Sequence, residues 1–134
     1  MKCNTDIGLL LLRLFTGVRL VYGVQDNVLS RQHMYAFRDF LAANNFPFPL
    51  ACAYLSVFAQ LTAGLLLIVG WQVRLAAFIM CLNFLVAILM VHRADSFEGM
   101  TPAMALFFIN LLFLFSGGGR YALDKRLGRR GEYN

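Results

Sequence analysis

Long apolar runs alternate with short polar stretches along this chain. Four of the runs approach the roughly 20 residues that a helix needs to cross a ~30 Å hydrocarbon core. They predict transmembrane helices at about residues 7–25, 50–69, 73–91 and 101–116. Proline at position 49, and glycines at position 70 and from 117 to 119, fit the start of the second span and the ends of the second and fourth.

The connection between the first two spans is mixed rather than purely polar. Its apolar side chains recur at steps of three and four residues: Met34, Phe37, Phe40 and Leu41. This spacing predicts a short amphipathic helix that lies in the interface or caps the bundle. The expected fold class is therefore all-α. It is a polytopic membrane protein, an antiparallel four-transmembrane-helix bundle with a short amphipathic helix between spans 1 and 2, in a single domain over residues 1–134.

Composition agrees with a membrane protein, since 60% of the residues are hydrophobic and 14% are charged. The net charge of +5 is concentrated in a basic tail over 120–134, directly after the last apolar run. Such a cluster is typical of a cytoplasmic flank and excludes nucleic acid as the favoured partner. The lipid bilayer is the expected partner. Seven basic residues flank the spans on the side of both termini and three on the other. This predicts cytoplasmic termini in a bacterial inner (plasma) membrane.

Each predicted span carries a strongly polar side chain near its midpoint. In the first span, Arg13 and Arg19 lie about one turn, roughly 5 Å, to either side of the centre. The other three spans carry Gln60, Asn83 and Asn110. A charge at the bilayer centre costs from roughly 2.5 to about 10 kcal/mol or more, so it needs a partner. We therefore expect one polar layer at mid-membrane depth.

This layer has two interpretations. In the first, arginines and amides form a hydrogen-bonded core that fixes helix register. In the second, they bind a polar or anionic head group, such as a quinone carbonyl, a lipid phosphate or a small anion. The candidate ligand-binding residues are then Arg13, Arg19, Gln60, Asn83, Asn110 and His92. Small residues are expected to let the helices pack closely, namely Gly17, Gly23, Ser56 and Gly64.

Catalytic and metal motifs are not evident in the sequence. No serine has a nucleophile-elbow setting, so no catalytic residue is predicted. His33 and His92 lack the spacing of metal ligands, and no metal is expected. Any chemistry would come from a bound cofactor or a partner subunit, with a quinone or a lipid as the candidate bound molecule.

Several segments together resemble the DoxX family, in order over about residues 8–124. They are LLLRLFTGVRLVYGVQD, AQLTAGLLLIVGWQVRLAA, VAILMVHRADSF and GGGRYALD. The resemblance assigns family-motif positions to Arg74, Gly119, Arg120, Tyr121 and Asp124. It implies four transmembrane helices and a link to membrane redox or detoxification systems.

The chain departs from the family pattern at two acidic positions. Many relatives have a glutamate where this chain has Gln60, and a second acid is replaced by apolar residues around Met104. On this resemblance, the natural counter-ions of Arg13 and Arg19 are missing. The expected role is an auxiliary or anchoring redox component that binds a quinone-like or anionic amphiphile and is not an enzyme on its own. It would have a redox partner protein or form a homo-oligomer. Two alternatives stay open: a small-molecule or lipid transporter, and a subunit of a quinone-dependent oxidoreductase.

Overall fold

The computed structural model describes residues 2–131, with side chains described for residues 4–128. Six α-helices follow one another, and no strand occurs within the described residues. Their bounds are α1 Lys2–Leu29, α2 Arg31–Ala43, α3 Pro49–Val69, α4 Val73–Val86, α5 Phe97–Ser116 and α6 Leu123–Gly131. After α4 the chain continues through a π-helical turn, Ala87–Val91, and a 3₁₀ turn, His92–Ala94. The all-α fold class is confirmed.

Four of the helical segments are long and apolar enough to cross a membrane. They are Asn4–Leu29, Pro49–Val69, Val73–Ala94 and Phe97–Ser116. α1 packs chiefly on α3, α3 on α4, and α4 on α5, whereas α2 folds back over α3 and α1. One buried cluster joins α1, α3, α4 and α5 around Leu20, Leu67, Met80 and Phe113. A second cluster joins α1, α2 and α3 around Val24, Met34, Leu41, Ala53 and Val57.

α1 and α3 cross at two of the glycines that the sequence predicts to pack. A Cβ on Gly17 would lie 2.7 Å from the carbonyl oxygen of Gly64 and 2.6 Å from a side-chain carbon of Ile68. A Cβ on Gly64 would lie 2.9 Å from the carbonyl oxygen of Gly17. Real Cβ atoms do not approach that closely. Glycine at both positions therefore sets how near the two backbones come.

Gly23 does not pack as the sequence predicts. It is exposed, and a Cβ there would meet only the guanidinium of Arg19, at 3.0 Å, on its own helix. Ser56 does lie between two helices, but its hydroxyl hydrogen-bonds to α4.

The helix bounds differ from the predicted spans at three places. α1 begins at Lys2 and runs to Leu29, well beyond 7–25. α5 begins at Phe97 rather than near 101, because the Ser96 hydroxyl caps it by accepting a hydrogen bond from the Gly99 N–H, at 3.3 Å. Part of the predicted tail forms α6. The last three residues of that tail, 132–134, lie outside the described residues.

Candidate functional site

The facing sides of α3 and α4 share a short chain of polar side chains. The amide nitrogen of Gln60 donates to the Ser56 hydroxyl at 3.1 Å, and that hydroxyl donates to the amide oxygen of Asn83 at 2.9 Å. Ser56 and Gln60 lie four residues apart, so both face α4. Within the described residues, no hydrogen bond uses the amide nitrogen of Asn83 or the amide oxygen of Gln60. Both amide hydrogens of Asn83, the second amide hydrogen of Gln60 and the Gln60 amide oxygen therefore remain for a ligand.

A cavity of about 530 Å³ lies against this polar chain, between α2, α3 and α4. This volume is within the ~300–1,000 Å³ typical of small-molecule sites. Ser56, Gln60 and Asn83 form its polar wall. The other lining side chains are mostly apolar, and they include Phe37 and Phe40 of α2 with Phe46 after it, Leu55 of α3, and Ile79, Leu82 and Phe84 of α4. The site thus combines a small hydrogen-bonding group with an apolar, aromatic enclosure.

His92 lines the same cavity, at the end of the α4 segment. Its Nδ1 lies 2.7 Å from the Oδ2 of Asp95, which orients the imidazole and leaves Nε2 for another partner. The preceding π-helical turn contributes Ala87 and Val91 to the lining. Single π-turns inside helices frequently mark functional sites, because the extra residue re-aims neighbouring side chains.

The structure does not contain the single polar layer that the sequence predicts. Gln60, Asn83 and His92 do meet around one cavity, but Arg13, Arg19 and Asn110 lie elsewhere. The prediction assumed that the midpoint of every apolar run lies at the same depth, the centre of the membrane. α1 starts earlier than its run indicates and lies beside α3 with Arg13 level with Gly70, at the end of α3. Of the five side chains, Arg13 is therefore displaced toward the end of α3, and Arg19 and Asn110 do not line the cavity that Gln60 and Asn83 share.

Arg13 is buried, with 2% of its surface exposed, and its partners are backbone carbonyls. One terminal nitrogen donates to the carbonyl of Gly118 at 3.0 Å and the other to that of Tyr121 at 3.4 Å. Gly70, with φ of +81°, adjoins the same guanidinium, and a Cβ there would collide with it. Arg13 thus ties α1 to the segment after α5, beside the α3–α4 turn, and its partners are backbone carbonyls rather than the amide side chains that the sequence predicts.

Arg19 and Asn110 are separate from each other as well as from the cavity. Arg19 is exposed on α1, and no hydrogen bond or ion pair joins it to another described residue. Asn110 is fully buried on α5, where its amide nitrogen donates to the carbonyl of Leu106 at 2.8 Å. Its amide oxygen has no partner among the described residues.

The predicted family-motif residues meet at the end of the bundle where Arg13 lies. Both carboxylate oxygens of Asp124 accept backbone N–H groups at the start of α4, from Gln72 at 2.7 Å and Val73 at 3.0 Å. The N–H of Arg120 donates to Asp6 at 2.9 Å. Arg74 donates to the carbonyl of Phe115 at 3.3 Å. These contacts join four chain segments and hold this end of the bundle together.

Sequence reasoning missed the aromatic side of the cavity and the capping role of Asp124. The stripe of Met34, Phe37, Phe40 and Leu41 indicates that α2 covers the bundle, and the structure shows that this cover forms one wall of a site. Nothing in the sequence near Asp124 points to α4, whose first residues lie 51 and 52 positions away. Among the described residues, no three His, Cys, Asp or Glu side chains group together as metal ligands would.

The DoxX family model matches residues 8–93. This range is well over half of the chain and includes most of α1, all of α2 to α4 and every lining residue of the cavity. The GGGRYALD segment, which also resembles the family, lies outside the matched range. No curated protein and no solved structure matches the chain.

Proposed function

The chain belongs to the DoxX family of membrane proteins, and on that premise we propose that it binds a quinone-like amphiphile in the cavity between α2, α3 and α4. It would act there as an auxiliary or anchoring component of a membrane redox or detoxification system. The observation that carries the proposal is the Gln60–Ser56–Asn83 chain against an apolar enclosure.

The chemistry of the polar wall favours a neutral head group over an anion. A quinone carbonyl accepts hydrogen bonds, and the free N–H groups of Asn83 donate them. The Nε2 of His92 is a second donor when it carries the proton. Both arginines that could attract an anion lie outside this cavity. The DoxX resemblance implies a glutamate at the position of Gln60 in many relatives, and the amide removes that charge from the wall.

The enclosure suits the rest of such a molecule. Aromatic rings from α2 and aliphatic side chains from α3 and α4 line the cavity. An apolar ring or tail can pack there against side chains of the same polarity, through the van der Waals contacts that drive association inside a bilayer. The described groups can hold and orient a head group, which is the task of a binding component.

A binding experiment tests the site directly. We would titrate the purified protein in neutral detergent with a decyl-substituted benzoquinone and measure the dissociation constant by equilibrium dialysis. Asn83→Leu should weaken binding up to about tenfold, because one hydrogen bond is worth roughly 0.5–1.5 kcal/mol. Asn110→Leu is the matched control, since that asparagine does not line the cavity. Equal dissociation constants for wild type and Asn83→Leu would refute the site.

The same preparation separates the alternatives. Displacement of the quinone by an anionic amphiphile would favour the anionic ligand. Movement of the bound molecule across proteoliposomes, lost in Asn83→Leu, would favour a transporter. Reduction of the quinone when a redox partner protein is added would favour an oxidoreductase subunit.

The proposed location is the bacterial plasma membrane with both termini in the cytoplasm. The Asp6–Arg120 contact supports one common side for the start of α1 and the end of α5. Lys125 and Arg126 lie exposed at that end, as the positive-inside rule requires. A membrane-impermeant thiol reagent applied to intact cells should label Ser96→Cys and leave Leu127→Cys unlabelled. The opposite pattern would reverse the orientation.

A further inference from the structure

A second cavity, of about 810 Å³, lies at the end of the bundle opposite His92. It is an open groove where α4 begins, α5 ends and α6 starts. Its lining combines two cationic side chains, Arg74 and Lys125, with the backbone of Gly117–Gly119. It shares no lining residue with the first cavity.

The groove keeps a net charge of +1, because Arg74 and Lys125 carry two positive charges and Asp124, its one lining carboxylate, carries one negative charge. Both oxygens of Asp124 accept N–H groups at the start of α4, where the helix dipole is positive. Arg74 uses one nitrogen for the Phe115 carbonyl, and its other N–H groups are free among the described residues. The side chain of Lys125 is exposed and forms no hydrogen bond or ion pair with a described residue.

Backbone donors add to the two cations. The N–H groups of Gly118 and Gly119 form no hydrogen bond with any described residue, although both glycines are buried. Buried backbone N–H groups nearly always have a partner, so these two are available to donate hydrogen bonds to an oxygen of a ligand. Two cations and free N–H groups around one concavity are the recognition elements of a phosphate.

The wall next to the cations is apolar and continues along the outer face of the bundle. Leu75 lines the groove and is half exposed. Beyond it, Phe78 and Leu82 are exposed along α4, and Phe115 is exposed at the end of α5. A free phosphate has no apolar part that could contact this surface, whereas the acyl chains of a lipid would lie along it. Basic pockets between helices at the cytoplasmic surface are typical of anionic lipid sites.

We propose that this groove binds the phosphate of an anionic phospholipid, with Arg74 and Lys125 on the phosphate and Leu75 beside the acyl chains. The site is independent of the quinone-like ligand. It anchors the start of α4 and the end of α5 to the lipid surface.

Native mass spectrometry of the full chain in neutral detergent tests the proposal with phosphatidylglycerol and phosphatidylcholine as probes. One phosphatidylglycerol should be retained in preference to phosphatidylcholine. Lys125→Gln should reduce the preference for phosphatidylglycerol roughly fivefold, because the attraction of one basic residue to an anionic lipid surface changes the affinity by about that factor. Arg74→Gln should reduce it further. Lys125→Gln removes no intramolecular hydrogen bond, so its loss of binding cannot come from misfolding.

Arg126→Gln is the matched control, since it removes the same charge from the adjacent position and does not line the groove. Retained binding in this variant supports the site. An equal loss in Arg126→Gln and Lys125→Gln would show diffuse surface attraction and overturn it. Displacement of phosphatidylglycerol by millimolar inorganic phosphate, with no preference between the two lipids, would assign the groove to soluble phosphate and overturn the lipid.

Discussion

Arg13 and Arg19 lie six residues apart on α1 in opposite surroundings. Arg13 is 2% exposed, and two backbone carbonyls accept its N–H groups. Arg19 is exposed and has no hydrogen-bonding or ionic partner among the described residues. On the face of α1 toward the α5–α6 segment, backbone carbonyls accept from both terminal nitrogens of Arg13 and only its buried Nε lacks a partner among the described residues, whereas Arg19 on the other face has no partner there for any nitrogen. An arginine inside a membrane helix can thus be a structural tie or an unsatisfied group, and the neighbouring sequence does not distinguish the two.

Arg13→Leu should have the largest effect of the substitutions that test this contrast. It removes two charge-assisted hydrogen bonds, each worth roughly 1.5–3 kcal/mol, and leaves the carbonyls of Gly118 and Tyr121 without their donors. We expect a lower melting temperature in detergent and faster proteolysis after α5. Arg13→Lys should fall between, because a lysine keeps the charge but not the forked donors. An unchanged melting temperature for Arg13→Leu would show that the tie contributes nothing to stability.

Asp124→Asn should have an intermediate effect at the same end of the bundle. An amide can accept only one of the two N–H groups that the carboxylate holds, and the charge favourable to the α4 N-terminus is lost. The expected cost is about 0.5–2 kcal/mol. Amide hydrogen exchange should accelerate at Gln72 and Val73. Asp26→Asn, at an exposed position on α1, is the control. Equal exchange rates at Gln72 and Val73 in both variants would show that Asp124 does not cap α4.

Arg19→Leu should have the smallest effect and the opposite sign. Its side chain is exposed in the folded bundle and would be equally exposed on a separated α1, so folding hardly changes its surroundings. We expect the free energy of unfolding to change by less than about 1 kcal/mol, as at other surface positions. The melting temperature should therefore stay the same or rise slightly. A loss of stability as large as that of Arg13→Leu would reveal a partner for Arg19 and erase the contrast between the two arginines.

The sequence predicts the spans well because each has a local signal. Pro49 and Gly70 mark α3 to within one residue, and Val73 starts α4 as expected. That Gln60 and Asn83 lie at one cavity is also within reach of sequence reasoning, because they stand 11 and 12 residues from Trp71 at the centre of the turn. A three-residue turn joins α3 to α4 and fixes their register, so residues equally far from the turn must meet.

Register between α1 and α3 cannot be counted in the same way. The whole of α2 lies between them, so chain length does not fix which residues face each other. Equal depth for Arg13 and Gln60 was an assumption about run midpoints, and the glycine crossing at Gly17 and Gly64 sets a different register. The partners of Arg13 are carbonyl groups, which every residue carries, so no side-chain pattern identifies them.

The hydrogen bonds of Arg13 can form only late in synthesis, long after α1 has been made. Its carbonyl partners belong to residues 105 and 108 positions further along the chain. At about 5–20 residues per second, a ribosome reaches them roughly 5–20 s after it has made Arg13. During that interval the first helix carries a guanidinium that the folded protein has not yet enclosed. The charged helix α1 must therefore be inserted before the carbonyl groups that accept hydrogen bonds from Arg13 have been synthesised. The residues that accept hydrogen bonds from the Arg13 guanidinium are thus made 105 and 108 positions after it.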